Sequence, residues 1–323
     1  MFANLKRLSF RHKNNKPLYY VKNYIRRYIP TSVYERKLQK KLAEIDNFDR
    51  EYIEMRVNYY NKLAGTTQLS DKATSLSELK LGDTYKVYFF DAYEFTRYFP
   101  QKLKAFFIFG DVIHVPQEPA IVKSRPIHGD NVNSVVMKLE KLRHFLFVKD
   151  KKPHASKKNM IISRGKADKK PHRLKFLEMY YNHPMCDVGQ VDRGDNLQFS
   201  GLRMTLAEHL NFKFIMCLEG NDVASNLKWV MSSNCLAVMP LPKYETWFME
   251  GTLIPNFHYV LIKDDYSDLE ERMNYYIEHT DEALKIIENA HDYVDQFRNK
   301  KREDLISLLV LKKYFEKTGQ KAL

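Results

Sequence analysis

Phe212-Lys213-Phe214-Ile215-Met216-Cys217-Leu218, followed by Glu219-Gly220-Asn221-Asp222, is the stretch that decides the fold. The first part is an apolar run of buried-strand length, and the second is a tight polar turn around a glycine. Residues 223–233 then read as a helix whose first turn lies over that turn, with Asp222 placed to cap it through backbone N–H groups. Residues 234–239 form a second apolar run. Strand, helix, strand is a βαβ unit, and such units build parallel sheets whose ligands sit beyond the C-terminal ends of the strands. The fold class is therefore α/β, with chemistry expected at those strand ends, where acids, amides and hydroxyls gather.

Working outward, residues 160–163 restart a strand, Arg164-Gly165-Lys166 follow it, and residues 171–181 read as a helix. Upstream, residues 42–63 have helical spacing, residues 65–77 are a polar loop, and residues 85–90 and 105–109 read as buried strands. Residues 134–146 carry a helical pattern through Val135, Leu139, Leu142 and Leu146. Downstream, Ser267 and Glu270 are spaced as a capping box, and helices are predicted over 280–297 and 302–315. The Lys-rich break at 149–158 is the expected interdomain linker. The chain thus divides into a basic amphipathic arm (1–41), an N-terminal α/β domain (42–150), a Rossmann-like domain (151–298) and a C-terminal helix (299–323).

The 323 residues suffice for two domains with a large core. Lys and Arg outnumber Asp and Glu by 53 to 40, a net charge of +13 that favours polyanionic partners: phosphorylated substrates, anionic lipid or nucleic acid. The arm holds much of this surplus, with aromatic and aliphatic residues interleaved, a pattern suited to an anionic membrane surface; a solvated basic arm is the plainer alternative. Cys186, Cys217 and Cys235 form no Cys-x-x-Cys pair, so neither a zinc site nor a disulfide framework is expected. No apolar run reaches the roughly 18–20 residues of a membrane span, and no apolar signal core opens the chain. The expected location is the cytoplasm, peripheral at the inner face of the cytoplasmic membrane.

Four constellations could carry chemistry. Arg164-Gly165-Lys166 with Arg173 joins a strand end, a close-turning glycine and fixed cations, which is what a diphosphate needs; the spacing is not that of a P-loop. Glu219-Gly220-Asn221-Asp222 with Ala224, Ser225 and Asn226 offers polar side chains and helix N–H groups to a nucleotide ribose or phosphate. The segment 242–251 combines Glu245 with an exposed-looking Trp247, one to hydrogen-bond sugar hydroxyls and the other to stack on a ring. Asp111 follows a strand and could act as a general base; Lys123 and Arg125 could pair a phosphate or form salt bridges, and Asp130 is a further acid on the acceptor side. Each also has a plain structural reading: a solvated basic loop, a helix cap, a packed Trp anchor and an ordinary strand-end Asp.

Taken in order, these residues resemble glycosyltransferase family 90, which includes bacterial lipopolysaccharide core glycosyltransferases, fungal capsule-associated proteins and animal protein O-glucosyltransferases. The resemblance is carried by Arg164-Gly165, Lys213-Phe214, Glu219-Gly220, Ala224-Ser225 with Lys228, Ser233-Asn234-Cys235-Leu236, Glu245, Trp247, Leu253-Ile254-Pro255 and His258-Tyr259-Val260. Asp265-Tyr266-Ser267-Asp268-Leu269-Glu270 closes the set, and the match runs from about Gly110 to Phe297. The wording at Asn221-Asp222 and Trp247 to Gly251 is most similar to the bacterial branch.

The resemblance implies a GT-B-like fold, two Rossmann-like domains facing a central cleft, with the acceptor on the N-terminal domain and the nucleotide sugar on the C-terminal one. It implies inverting, metal-independent transfer of a hexose from a UDP-sugar to a hydroxyl of a lipid-linked oligosaccharide, with no cofactor. Arg164, Gly165, Lys166 and Arg173 would then lie at the diphosphate, Gly220 to Ser225 at the ribose and phosphates, and Glu245 and Trp247 near the nucleotide or sugar. Asp111 matches, through the following Pro119-Ala120, the acid taken as base in the eukaryotic members; Asp130 and Asp91 are the next candidates. Where those members carry an Arg, this chain has Asn226, so Lys228, Arg164 or Arg173 must balance the diphosphate. The competing class is a non-catalytic nucleic-acid- or membrane-surface-binding protein, for which +13 speaks but no RNP, KH, zinc-finger or helix-turn-helix signature does.

Overall fold

The computed structural model describes residues 14–191 and 197–322. The first thirteen residues of the basic arm lie outside the described residues. The strands in chain order are β1 (Thr74–Ser75), β2 (Lys104–Ile108), β3 (Ala120–Val122), β4 (Ser124–Pro126), β5 (Ser134–Val136), β6 (Lys158–Gly165), β7 (Cys186–Gln190), β8 (Phe212–Met216), β9 (Leu236–Met239), β10 (Tyr244–Thr246) and β11 (Val260–Leu261). The chain forms two compact units: a first from Asn15–Arg143, Lys243–Gly251 and Phe297–Leu323, and a second that includes His144–Pro242 and Thr252–Gln296.

The second unit is built on a five-stranded sheet in the order β11-β9-β8-β6-β7, with every pair parallel. Counted from β6, the chain visits positions 2-1-3-4-5 across the sheet, which is a doubly wound order. The apolar runs over β8 and β9 show no alternation because both faces of these strands are covered. Phe214, Met216, Leu236 and Val238 pack with Phe176 and Leu177 of the helix Pro171–Tyr180 and with Leu269 and Met273 of the helix Leu269–Glu278. Ile215 and Ala237, on the opposite face, are buried as well.

The first unit carries a four-stranded sheet, β1-β2-β3-β5, in which β2, β3 and β5 are parallel and β1 is antiparallel. No helix lies in the connections 109–119 and 123–133. A second, two-stranded sheet pairs β4 with β10. The helices Arg50–Tyr60, Lys86–Thr96 and Lys300–Lys317 belong to this unit, so the C-terminal helix packs with residues from the start of the chain.

Several local expectations are corrected. Residues 85–90 begin a helix, Lys86–Thr96, rather than a strand; Tyr88, Phe89, Phe90, Asp91, Ala92 and Phe95 are all buried. A helix covered on most sides shows the same unbroken apolar run as a buried strand. Within 134–146, Ser134-Val135-Val136 is the third parallel strand, and only Lys141–His144 is helical. The helix expected over 223–233 is limited to Leu227–Met231, preceded by Asn226 rather than by a capping Asp222.

The break at 149–158 is no linker. Asp150 receives Lys157 Nζ at 2.7 Å and the Asn234 amide at 3.1 Å, and Asn234 Nδ2 donates to the carbonyls of Asp150 and Lys152. Ser267 does not complete a capping box; its hydroxyl donates to Asp265 Oδ1 at 2.8 Å.

Candidate functional site

In a sheet of this order, chain direction reverses between the first and third strands, and the crevice beyond their C-terminal ends is where ligands bind. Here those strands are β6 and β8, whose ends lead into Arg164-Gly165-Lys166 and Glu219-Gly220-Asn221. The structure joins the two segments through Arg173, on the first turn of the helix Pro171–Tyr180. Its Nε donates to Glu219 O at 2.9 Å, Nη1 to Lys166 O at 2.9 Å and Nη2 to Leu218 O at 2.8 Å. Around it, Lys170 Nζ donates to Asn221 Oδ1 at 2.8 Å and His172 Nε2 lies 2.9 Å from Glu219 O.

Gly165 serves this approach: a Cβ there would stand 3.1 Å from Arg173 Nη1, whereas one on Gly220 would lie 3.6 Å from Nη2, at ordinary contact distance. Proline stands at the first position of the helix, and its first turn holds no acid and no side-chain cap. The switch point thus gathers Lys166, Lys170, Arg173 and His172 beside a helix N-terminus, with Lys166 exposed.

The other candidates in this unit sit differently. Direct phosphate ligation by Arg164 meets a guanidinium already committed to protein oxygens. Nε donates to Leu202 O at 2.9 Å, Nη1 to Asp187 O at 2.7 Å and to Ser163 O at 2.9 Å, and Nη2 pairs with the Asp187 carboxylate. Arg164 therefore fastens the segment around Leu202 to β7, where Gly189 and Gly201 approach so closely that a Cβ on Gly189 would fall 2.8 Å from the Gly201 Cα. Lys228 is fully buried, its ammonium over the Phe145 ring at 5.8 Å. Asn226 donates to Met216 O at 2.9 Å, Ala224 and Asp222 are buried, and Ser225 is half-buried.

In the first unit, three chemistry-bearing residues follow the C-terminal ends of the three parallel strands: Asp111 after β2, Lys123 after β3 and Glu140 after β5. Lys123, buried, forms an ion pair with Asp111 and lies 3.6 Å from Glu140 Oε2. Tyr88 Oη donates to Glu140 at 3.0 Å and to Asp111 at 3.4 Å. Arg143 Nη1 also lies 3.6 Å from Glu140 Oε1, so the two carboxylates here meet two cations. Asp130 is exposed and turned onto the Val132 amide. Asp91, the other reserve acid, is 1% exposed on the helix Lys86–Thr96, beyond reach of a substrate.

Arg125, Glu245 and Trp247 form a buried scaffold in the same unit. Arg125 Nε donates to Glu245 Oε1 at 2.7 Å, and its other nitrogens donate to the carbonyls of Tyr59, Tyr60 and Ser134. Glu245 also receives the Tyr59 hydroxyl. Trp247 is no exposed stacking platform: it is 0% exposed, stacks on Tyr60 with centroids 3.9 Å apart, and donates from Nε1 to Glu303 at 2.6 Å. A tryptophan amid polar neighbours reads as surface in one dimension; the partner that buries it, Tyr60, is far away in sequence.

Glu140, Tyr88, Lys170 and His172, which touch these candidates, were not singled out from the sequence. Lys170 and His172 flank the proline that starts a helix after a basic turn, which is a usable signal. Glu140 gives no such signal, because its segment reads as a helix. Among the described residues, no group of three or more His, Cys, Asp or Glu side chains could hold a metal ion, and no helix is long and apolar enough to cross a membrane.

The family model for glycosyl transferase family 90 matches residues 131–316. The chain is also 40% identical over 280 residues to the O-glucosyltransferase LpsA of Dichelobacter nodosus, an alignment covering 84% of this chain and 87% of that protein.

Proposed function

This chain belongs to glycosyltransferase family 90, and from that premise we propose that it transfers glucose from UDP-glucose to a hydroxyl of a lipid-linked, lipopolysaccharide-type glycan, with inversion and without a metal. Transfer of a sugar rests on the family. The choice of glucose rests on the name of the relative, and the choice of a UDP-sugar on the cationic switch point between β6 and β8. A GT-B arrangement is part of this reading.

The observation that carries it is the Arg173 clasp. It sets Gly165 and Gly220 at the crevice of a doubly wound sheet and surrounds them with Lys166, Lys170 and His172. In a single displacement, the acceptor oxygen attacks the anomeric carbon on the face opposite UDP. The carbon–oxygen bond to the β-phosphate breaks, and its electron pair stays on the leaving UDP. Lys166, the Arg173 charge and the helix N-terminus offset the growing negative charge. Asp111 takes the acceptor proton, and Lys123 holds its carboxylate in place. Arg164 acts as a positioning residue that shapes the adjoining segment.

The test is a screen of UDP-glucose, UDP-galactose, UDP-xylose and UDP-N-acetylglucosamine for UDP release, with and without EDTA. UDP-glucose turnover that persists in EDTA is expected. Turnover that requires an added divalent cation contradicts the metal-independent part, and no turnover of any UDP-sugar contradicts the donor class.

A further inference from the structure

The helix Lys16–Arg27 faces the protein with Asn23, Arg26 and tyrosine rings that meet Phe90, and it leaves a row of apolar residues outward. Tyr19 donates to Asp91 Oδ1 at 2.7 Å, Asn23 is 3% exposed, and Arg26 pairs with Glu94 at 2.8 Å. On the other side, Leu18, Val21, Ile25 and Tyr28 are 60%, 55%, 58% and 87% exposed. Their spacing of i, i+3, i+7 and i+10 places them in one row along the helix and its C-terminal cap. An ordinary surface helix buries its apolar row; here a polar clamp fixes the helix with that row facing out, which marks an interaction surface.

Charge selects the occupant. Lys22 borders the row, and between Lys16 and Lys41 the chain has eight basic residues and one acid, Glu35. A second copy would bring the same basic surface to a chain of net charge +13, so self-association is opposed. An anionic lipid surface meets both features: apolar side chains enter the acyl boundary while lysines and arginines meet headgroup phosphates.

We propose that the Leu18–Val21–Ile25–Tyr28 row is a membrane-docking face that seats this protein on anionic lipid. This is independent of which sugar is transferred.

The experiment is flotation of the full chain with vesicles of phosphatidylcholine alone and of phosphatidylcholine mixed with an equal part of phosphatidylglycerol. Wild type is compared with the double variant Leu18→Ser/Ile25→Ser and with Leu284→Ser, which alters an exposed leucine elsewhere. Wild type and Leu284→Ser should float with the anionic vesicles and not with the neutral ones. The double variant should partition at least about tenfold less, since two exposed side chains lose their burial in lipid, at an unchanged unfolding temperature. Equal flotation of the double variant, equal binding to neutral vesicles, or failure of wild type to float would each overturn the proposal. So would a wild-type dimer in gel filtration that the double variant converts to monomer.

Discussion

Lys166 is exposed at the tip of β6, so removing it probes the charge of the switch point without disturbing the packing beneath. Lys166→Ala is expected to weaken UDP binding by about tenfold, roughly the worth of one charge-assisted hydrogen bond, in a calorimetric titration at unchanged Tm. Arg173→Ala should cost more, on the order of 10²–10³-fold in kcat/KM, because its guanidinium also holds three strand-end carbonyls. Arg173→Lys should not restore the rate, since a point charge lacks the fork that spans them. Asp111→Asn should abolish transfer while UDP still binds; retained turnover would move the base to another acid. Glu245→Ala, by contrast, should act on folding. It leaves Arg125 buried without its carboxylate, a loss of about 3–5 kcal/mol, read by denaturant unfolding. Gly165 and Gly220 were legible as strand-end glycines because a glycine between a strand and polar residues has a local meaning. The buried roles of Glu245 and Trp247 were not legible, because what occupies them comes from Arg125, Tyr59, Tyr60 and Glu303, none adjacent in sequence.

Elements in the second unit were easier to read than those in the first. β6, β8 and β9 follow apolar runs of strand length, and the helix Pro171–Tyr180 opens on its proline. The helix Lys86–Thr96 was hidden by its own burial, and it carries a testable electrostatic consequence. Burial pushes the Asp91 carboxyl up to about 6 from its ordinary 3.8, against the pull of Lys141. Folded Asp91 therefore keeps a proton that the unfolded chain releases. Its contribution is complete below 3.8 and is lost as pH rises to about 6. The Lys141 and Arg26 charges hold Glu94 well below the usual carboxylate range, so its contribution runs the other way and is lost on acidification. In unfolding curves across this window, Asp91→Asn should gain on wild type as pH rises to about 6, and the difference should level off above it. A difference that stays flat across the window would remove the assignment. Gly189→Ala should cost about 1–3 kcal/mol through overpacking, because the Gly201 backbone occupies the space its Cβ needs.

At the scale of the molecule, the chain passes between its two units at 143/144, 242/243, 251/252 and 296/297. A division by composition cannot find such a pattern. The Lys-rich segment 149–158 resembles a linker in its residues, yet Asn234 and Asp150 stitch it into the second unit, and β10 returns to the first unit to pair with β4. What the order of apolar runs and turns did convey was the α/β class, and what composition conveyed was the positive charge. What it could not convey was strand order, and strand order is what makes the space between β6 and β8 the proposed binding crevice. Amide hydrogen exchange with and without UDP tests that claim most directly. Protection is expected over residues 164–173 and 217–226, the two segments that Arg173 joins; protection confined to other parts of the chain would contradict it.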